Sequence, residues 1–180
     1  EKTIPVMLAG HDVIAKASTG TGKTCAFGIP VAEHIQPENK YPQAVIIAPT
    51  RELAQQIAEE LTNLTYFMPE VQVACVYGGA NMEKQARRLA EGCQIVVATP
   101  GRLMDHYKHH SIDLAHVTQV VLDEADEMLN MGFYKDVRHI IELMKARKSL
   151  SMFSATISCE VMDIGWLYQN NAEEITVQPR

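Results

Sequence analysis

The sequence has no C-x-x-C pair. Its four cysteines, Cys25, Cys75, Cys93 and Cys159, are scattered singly along the chain. That argues against a zinc site or a disulfide framework and points to reduced thiols in a cytoplasmic setting. No apolar run approaches the ~20 residues that a membrane span needs, so no membrane partner is expected. The opening residues, EKTIPVMLAGHDV, lack the layout of a secretory signal and begin abruptly, as a piece of a longer chain would. Positive charge is not in excess either: 16 Lys and Arg against 22 Asp and Glu leave a net charge of −6. This argues against a large, uniform nucleic-acid surface, while leaving room for a local basic groove. Internal repeats and low-complexity tracts are absent as well.

What the sequence does contain is enough apolar matter for a core. Hydrophobic residues make up 47% of 180 positions, which suits one domain over residues 1–180. Short apolar runs at 11–17, 44–49, 71–77, 94–100, 117–123, 149–155 and 173–179 alternate with helical patterns. Several runs are apolar at every position, as strands covered on both faces must be. The helical segments are 51–64, 81–92 (with Asn81 as N-cap and Gly92 as stop) and 134–146. The alternation predicts an α/β fold: a doubly wound, mainly parallel sheet with helices on both faces.

Three further expectations concern packing. Pro30 should kink or end its helix near Ile29, because it lacks a backbone donor. Trp166 and Met162, four residues apart, should face the core. Arg87, Arg88 and the basic run 145–148 should be solvated helix faces, and His106, His109 and His110 a solvated helix end rather than a metal site, since their spacing fits no zinc pattern.

Polar and glycine-rich motifs follow six of the apolar runs directly. STGTGKT follows the first, then TRE, a Gly-Gly pair, GR, DEAD and SAT. Ligands of open parallel sheets bind beyond the carboxyl ends of the strands, so these six motifs should share one edge. Within the first, Ser18, Thr19, Gly20, Thr21 and Gly22 form a loop whose backbone N–H groups can face a phosphate. Lys23 would reach the β- and γ-phosphates, and the Thr24 hydroxyl would ligate Mg²⁺. Asp123, at the end of an apolar strand, suits the second contact to Mg²⁺, through a bound water. Glu124 beside it is placed to orient and deprotonate the attacking water.

Gly-Lys-Thr directly after a strand already favours a phosphate loop over an ordinary strand-to-helix turn, whereas DEAD taken singly is equally well an acidic helix cap. Together they make a nucleotide site. Asn-Lys-x-Asp, the guanine signature, is missing, so ATP is the expected nucleotide. Pro49-Thr50-Arg51 and Thr99-Pro100-Gly101-Arg102 each offer a hydroxyl, a cation and a helix N-terminus, a set that holds phosphates rather than reads bases.

ASTGTGKT (Ala17 to Thr24), PTRELA (Pro49 to Ala54), Gly78-Gly79, TPGR (Thr99 to Arg102), DEAD (Asp123 to Asp126) and SAT (Ser154 to Thr156) occur in the order and approximate spacing of DEAD-box RNA helicases. The sequence resembles that family over essentially all of its length. The resemblance also accounts for Ala17, where other phosphate loops carry glycine. It implies the first of two RecA-like halves of a helicase core, an ATPase that binds ATP, Mg²⁺ and RNA. By the same resemblance, Lys23 and Thr24 hold phosphates and Mg²⁺, Asp123 supports the metal and Glu124 is the catalytic base. Asp126 connects to Ser154 and Thr156 to couple hydrolysis to strand separation. Pro49, Thr50, Arg51, Gly78, Gly79, Thr99, Pro100, Gly101 and Arg102 contact the RNA backbone. A glutamine motif upstream and a second domain carrying the arginine fingers would lie outside these residues. The isolated domain would then be a nearly inactive monomer. An ATP-gated RNA clamp that does not unwind is the alternative.

Overall fold

The computed structural model describes residues 2–17 and 23–177. Each apolar run becomes a strand: β1 (Val13–Ala17), β2 (Ala44–Ile47), β3 (Val73–Val76), β4 (Ile95–Ala98), β5 (Gln119–Leu122), β6 (Ser149–Ser154) and β7 (Glu173–Val177). They form one sheet in the order β3-β4-β2-β5-β6-β1-β7, and every pairing is parallel. The helices are α1 (Thr3–Leu8), α2 (Lys23–Glu33), α3 (Arg51–Leu64), α4 (Met82–Ala90), α5 (Pro100–Lys108), α6 (Ala125–Asn130), α7 (Tyr134–Leu143) and α8 (Cys159–Tyr168). This is the α/β sheet with helices on both faces that the alternating pattern predicts. No helix among the described residues is long and apolar enough to cross a membrane.

Side chains alternate across the strands, so one sheet builds two cores. Val13, Ala15, Ile46, Val97, Val121 and Phe153 pack under α1, α2 and α3 with Phe27, Val31, Ile57 and Leu61. Ile14, Val45, Val96, Leu122 and Met152 pack on the opposite face with Leu103, Met128, Ile140 and Ile164. Phe27 and Phe153 meet with ring centroids 5.3 Å apart. Each such fully buried large side chain contributes ~1.5–3 kcal/mol, which is why strands apolar on both faces specify a covered sheet.

The parallel register brings the strand ends to a common level. Ile47 lies opposite both Ala98 and Leu122, Val76 opposite Ala98, Leu122 opposite Met152, and Lys16 opposite Ser154. The motif-bearing connections therefore leave from one edge. The opposite edge is closed by buried polar side chains. Asp12 accepts from the N–H groups of Leu150 and Asn170 at 3.0 and 2.8 Å. Gln94 donates to the carbonyls of Pro37 and Glu70 and accepts from the N–H of Gln72.

Three packing expectations change. α2 runs through Pro30 to Glu33 instead of ending near Ile29. Proline removes one hydrogen bond, and the burial of Phe27, Gly28, Val31 and Ala32 around it outweighs that loss. Trp166 is 82% exposed, not in the core. Val161 and Ile164 take the inward positions of α8, and two residues beyond Ile164 the helix has turned to its far side.

Arg88 is not simply solvated. It donates to the carbonyls of Gly92 and Val73 and to the side chain of Gln72. Ladder bonds show that the carbonyls of Gln72 and Val76 point toward β4, so those of Val73 and Tyr77 point outward from this edge strand. Arg88 and Gln85 cap these two, which blunts an edge open to pairing. The run 145–148 is a turn after α7, where Arg147 donates to the carbonyls of Ile141 and Met144 and covers the Tyr168 ring.

Candidate nucleotide and nucleic-acid site

α2 begins at Lys23, and its ammonium sits 2.7 Å from Asp123 Oδ1 at the end of β5. One hundred residues of sequence separate this pair, which the strand order brings together across the end of β6. Both side chains are nearly or wholly buried. Ser18, Thr19, Gly20, Thr21 and Gly22 lie outside the described residues. Thr24, the next residue of α2, is buried too.

Asp123 Oδ1 also accepts from the Glu124 N–H at 2.9 Å, whereas the buried Oδ2 has no hydrogen-bond partner among the described residues. The orphaned carboxylate oxygen, together with the hydroxyl of Thr24 one residue after Lys23, makes a hard, oxygen-only donor set. The described residues hold no group of three or more His, Cys, Asp or Glu side chains able to cage a metal. One or two protein oxygens, with phosphates and water completing the shell, is how Mg²⁺ is usually held, so the residues present fit that ion. Burial pushes the Asp123 pKa up, and the Lys23 ammonium pulls against it.

Glu124 occupies the left-handed region, with φ 50° and ψ 51°. For a residue with a side chain this costs about 1–3 kcal/mol. The strain turns the chain sharply from β5 into α6, leaving Asp123 wholly buried and Glu124 partly exposed beside it. The Glu124 pKa is raised, first by burial and then by Asp123, Glu127 and Asp126, with Lys23 opposing. A carboxylate with a raised pKa is a stronger base.

Asp126 and the SAT segment form one hydrogen-bonded unit. Asp126 Oδ2 accepts from both the N–H and the hydroxyl of Thr156, at 3.2 and 3.0 Å. The Ser154 hydroxyl accepts from the Asp126 N–H at 3.1 Å and donates to the Thr156 carbonyl at 2.6 Å. Burial acts to raise the Asp126 pKa, but the hydroxyls of Thr156 and Ser154 outweigh it and hold the carboxyl below its usual range.

Asp126→Ala should therefore cost about 1–3 kcal/mol of stability at neutral pH, because two donors of Thr156 lose their partner. A depressed folded pKa stabilises the fold above the unfolded value near ~4, and that contribution is lost as pH falls through the lower folded value. Urea unfolding of both forms from pH 7 downward should show the gap closing in acid. Equal stability at pH 7 would contradict the bonding.

The other motifs gather at the ends of β2, β3 and β4. The Thr50 hydroxyl caps α3 by accepting from the Leu53 N–H. Thr99 precedes α5 without a side-chain cap, and Pro100 opens that helix. Pro49 and Gly78 belong to the same edge, and a Cβ on Gly78 or Gly101 would meet open space beyond its own chain neighbours among the described residues. Exposed Arg51 lies over the Tyr77 ring, 5.1 Å from its centroid. Gly79 has φ +83°, and a Cβ there would be 3.2 Å from the Arg51 guanidinium, so glycine answers both to the turn and to the approach. Arg102 is more committed: Nη1 donates to the Ala80 carbonyl at 2.9 Å and to Gln85 Oε1 at 3.1 Å.

Gln85 and His106 carry no signal in the motifs. His106 is buried, contrary to the solvated helix end expected of it, and its Nε2 lies 3.0 Å from Gln85 Oε1. His109 and His110 are exposed at the end of α5, as expected. The available clue is position. Gln85 falls between Met82 and Leu89 on the inward stripe of α4, and His106 is three residues after buried Leu103 on α5. A polar residue on a buried stripe needs polar partners inside. The four cysteines are all free, and burial pushes the Cys75 and Cys93 thiols up to about 11, so neither supplies a thiolate near neutrality.

The DEAD/DEAH box helicase family model matches residues 1–164. The ATP-dependent RNA helicase CshA of Limosilactobacillus reuteri is 47% identical over 180 residues, covering 100% of this chain and 36% of that protein. The ATP-dependent RNA helicase DeaD of Escherichia coli (strain K12) is 44% identical over 175 residues, covering 97% of this chain and 28% of that one. Among solved structures, a hypothetical ATP-dependent RNA helicase from Sulfolobus tokodaii has a TM-score of 0.89 at 40% identity, covering 98% of this chain and 51% of its own. The yeast DEAD-box splicing factor Prp28 has a TM-score of 0.87 at 34% identity, covering 94% and 42%. The chain spans roughly a third of the length of these curated relatives.

Proposed function

We propose, because this chain belongs to the DEAD/DEAH box helicase family, that it is the first RecA-like half of an ATP-dependent RNA helicase core. The observation that carries the reading is the contact of Lys23 with Asp123 beside the orphaned Asp123 Oδ2. It joins the phosphate-loop lysine to the DEAD acid in one buried site.

Residues 18–22, by their sequence pattern alone, are assigned to the nucleotide phosphates. Lys23 neutralises Asp123 in the free domain and reaches the β- and γ-phosphates of bound ATP. The Thr24 hydroxyl and the Asp123 carboxylate would hold Mg²⁺, which would neutralise charge on the phosphate oxygens. Glu124 orients the attacking water and takes its proton. Asp126, tied to Ser154 and Thr156, passes the state of the nucleotide site to the SAT segment. Arg51, Gly78, Gly79 and the residues Thr99 to Arg102, together with Pro49 and Thr50, hold the RNA backbone without reading bases. A second helicase domain of the same full-length protein supplies the arginine that completes the ATPase site.

Strand displacement tests the reading. The full-length protein should separate a short RNA duplex with ATP and leave it intact without ATP. ATP-dependent RNA binding with no separation would favour the clamp, and equal action on DNA would favour a translocase.

A further inference from the structure

The committed state of Arg102 raises a question of its own. An arginine expected to hold phosphate spends part of its guanidinium inside the protein, and it does so on Gln85. The Gln85 amide is used at both ends. Its Nε2 donates to the Tyr77 carbonyl at 3.0 Å, and its Oε1 faces Arg102 Nη1 at 3.1 Å and His106 Nε2 at 3.0 Å. Carbonyl oxygen accepts only, so His106 presents Nε2–H to it. Burial, followed by the charge of Arg102, lowers the His106 pKa, in keeping with a neutral ring. Arg102 Nη1 then reaches on to the Ala80 carbonyl at 2.9 Å.

These bonds close a loop through three elements. Tyr77 and Ala80 bracket the Gly78-Gly79 turn, Gln85 sits on α4, and Arg102 and His106 sit on α5. Gly78 and Gly79 have no side chains with which to fix their own geometry. Among the described residues, the side-chain hydrogen bonds that grip its two ends, at the carbonyls of Tyr77 and Ala80, come from Gln85 and its partner Arg102.

We propose that Gln85 is a positioning residue for RNA. It locks the Gly78-Gly79 turn to the start of α5, so that backbone N–H groups of the turn and of Gly101 and Arg102, the first free ones of that helix, meet successive phosphates at one fixed spacing. The inference rests on the RNA-binding reading above and goes beyond it by assigning a role to a residue that touches no ligand. Without the lock, the turn and α5 move independently, and the grip on the phosphates weakens although no cation has been removed.

Gln85→Met in the full-length protein tests this, because it keeps side-chain length and alters no charge. RNA affinity should fall about tenfold, the scale of one or two missing charge-assisted hydrogen bonds. The dependence of log affinity on log salt should flatten by about 0.7 for each phosphate that the protein no longer neutralises on a single strand. The KM for ATP without RNA, and kcat at saturating RNA, should stay within about twofold. A salt slope and RNA affinity equal to wild type overturn the proposal, as does a parallel loss of ATP affinity, which would mean general damage. If Gln85→Met does not fold, Gln85→Glu replaces it. That variant keeps an acceptor for Arg102 and His106, loses the donor to Tyr77 and adds a negative charge beside Arg102, so weaker RNA binding is again expected, and unchanged binding again overturns the proposal. A wild-type protein that fails to bind RNA would instead sink the functional reading itself.

Discussion

Glu124→Gln in the full-length protein should lower ATP turnover by about 10²–10⁴-fold, the usual share of a positioned general base. ATP and RNA affinity should remain close to wild type. The substitution keeps the size and hydrogen-bonding reach of the side chain and removes only its ability to take a proton. The left-handed backbone at this position does not depend on the carboxylate, since the Asp123 side chain secures the Glu124 N–H. The Lys23–Asp123 contact is likewise untouched. Single-turnover hydrolysis alongside equilibrium nucleotide binding separates the two effects. Turnover near wild type would mean that another group activates the water.

Residues 1–180 alone should hydrolyse ATP on the order of 10³-fold more slowly than the full-length protein with RNA, or slower still. Among the described residues, the nucleotide edge supplies Lys23, Asp123, proposed for the metal, and Glu124, proposed as the base. No arginine among the described residues stands free beside them. Arg51 lies over Tyr77 at the end of β3, and Arg102 is held by Ala80 and Gln85. Charge developing on the transferred phosphoryl group therefore needs an arginine from elsewhere. ATP binding by the fragment should persist, because the groups proposed for the phosphates and Mg²⁺ belong to the chain. RNA-stimulated turnover by the fragment at the full-length rate would remove the need for a second domain.

Much of this arrangement was legible from residue order. Apolar runs covered on both faces gave strands within two residues of their observed ends, and α3 and the Asn81 cap of α4 are where helical spacing put them. The motif edge was legible for a topological reason: in a parallel sheet every strand delivers its carboxyl end to the same side. Other features depend on tertiary contact and have no local signature. The Lys23–Asp123 contact needs the strand order, which no short stretch encodes. The strain at Glu124 is imposed by the junction it spans, against the preference of glutamate itself. Trp166 and His106 depart from expectation in opposite directions for one reason. Hydrophobicity and charge type alone ignore the phase of the helix, which turns Trp166 outward and His106 inward.

Nucleotide and RNA contacts proposed for one shared edge should act as one site. Steady-state ATP turnover of the full-length protein, with and without single-stranded RNA, decides this. Energetic coupling of ordinary size, transmitted through Asp126, Ser154 and Thr156, predicts that RNA raises turnover at limiting ATP by about 5–150-fold. Turnover that is the same with and without RNA, in a protein shown to bind both, would contradict it.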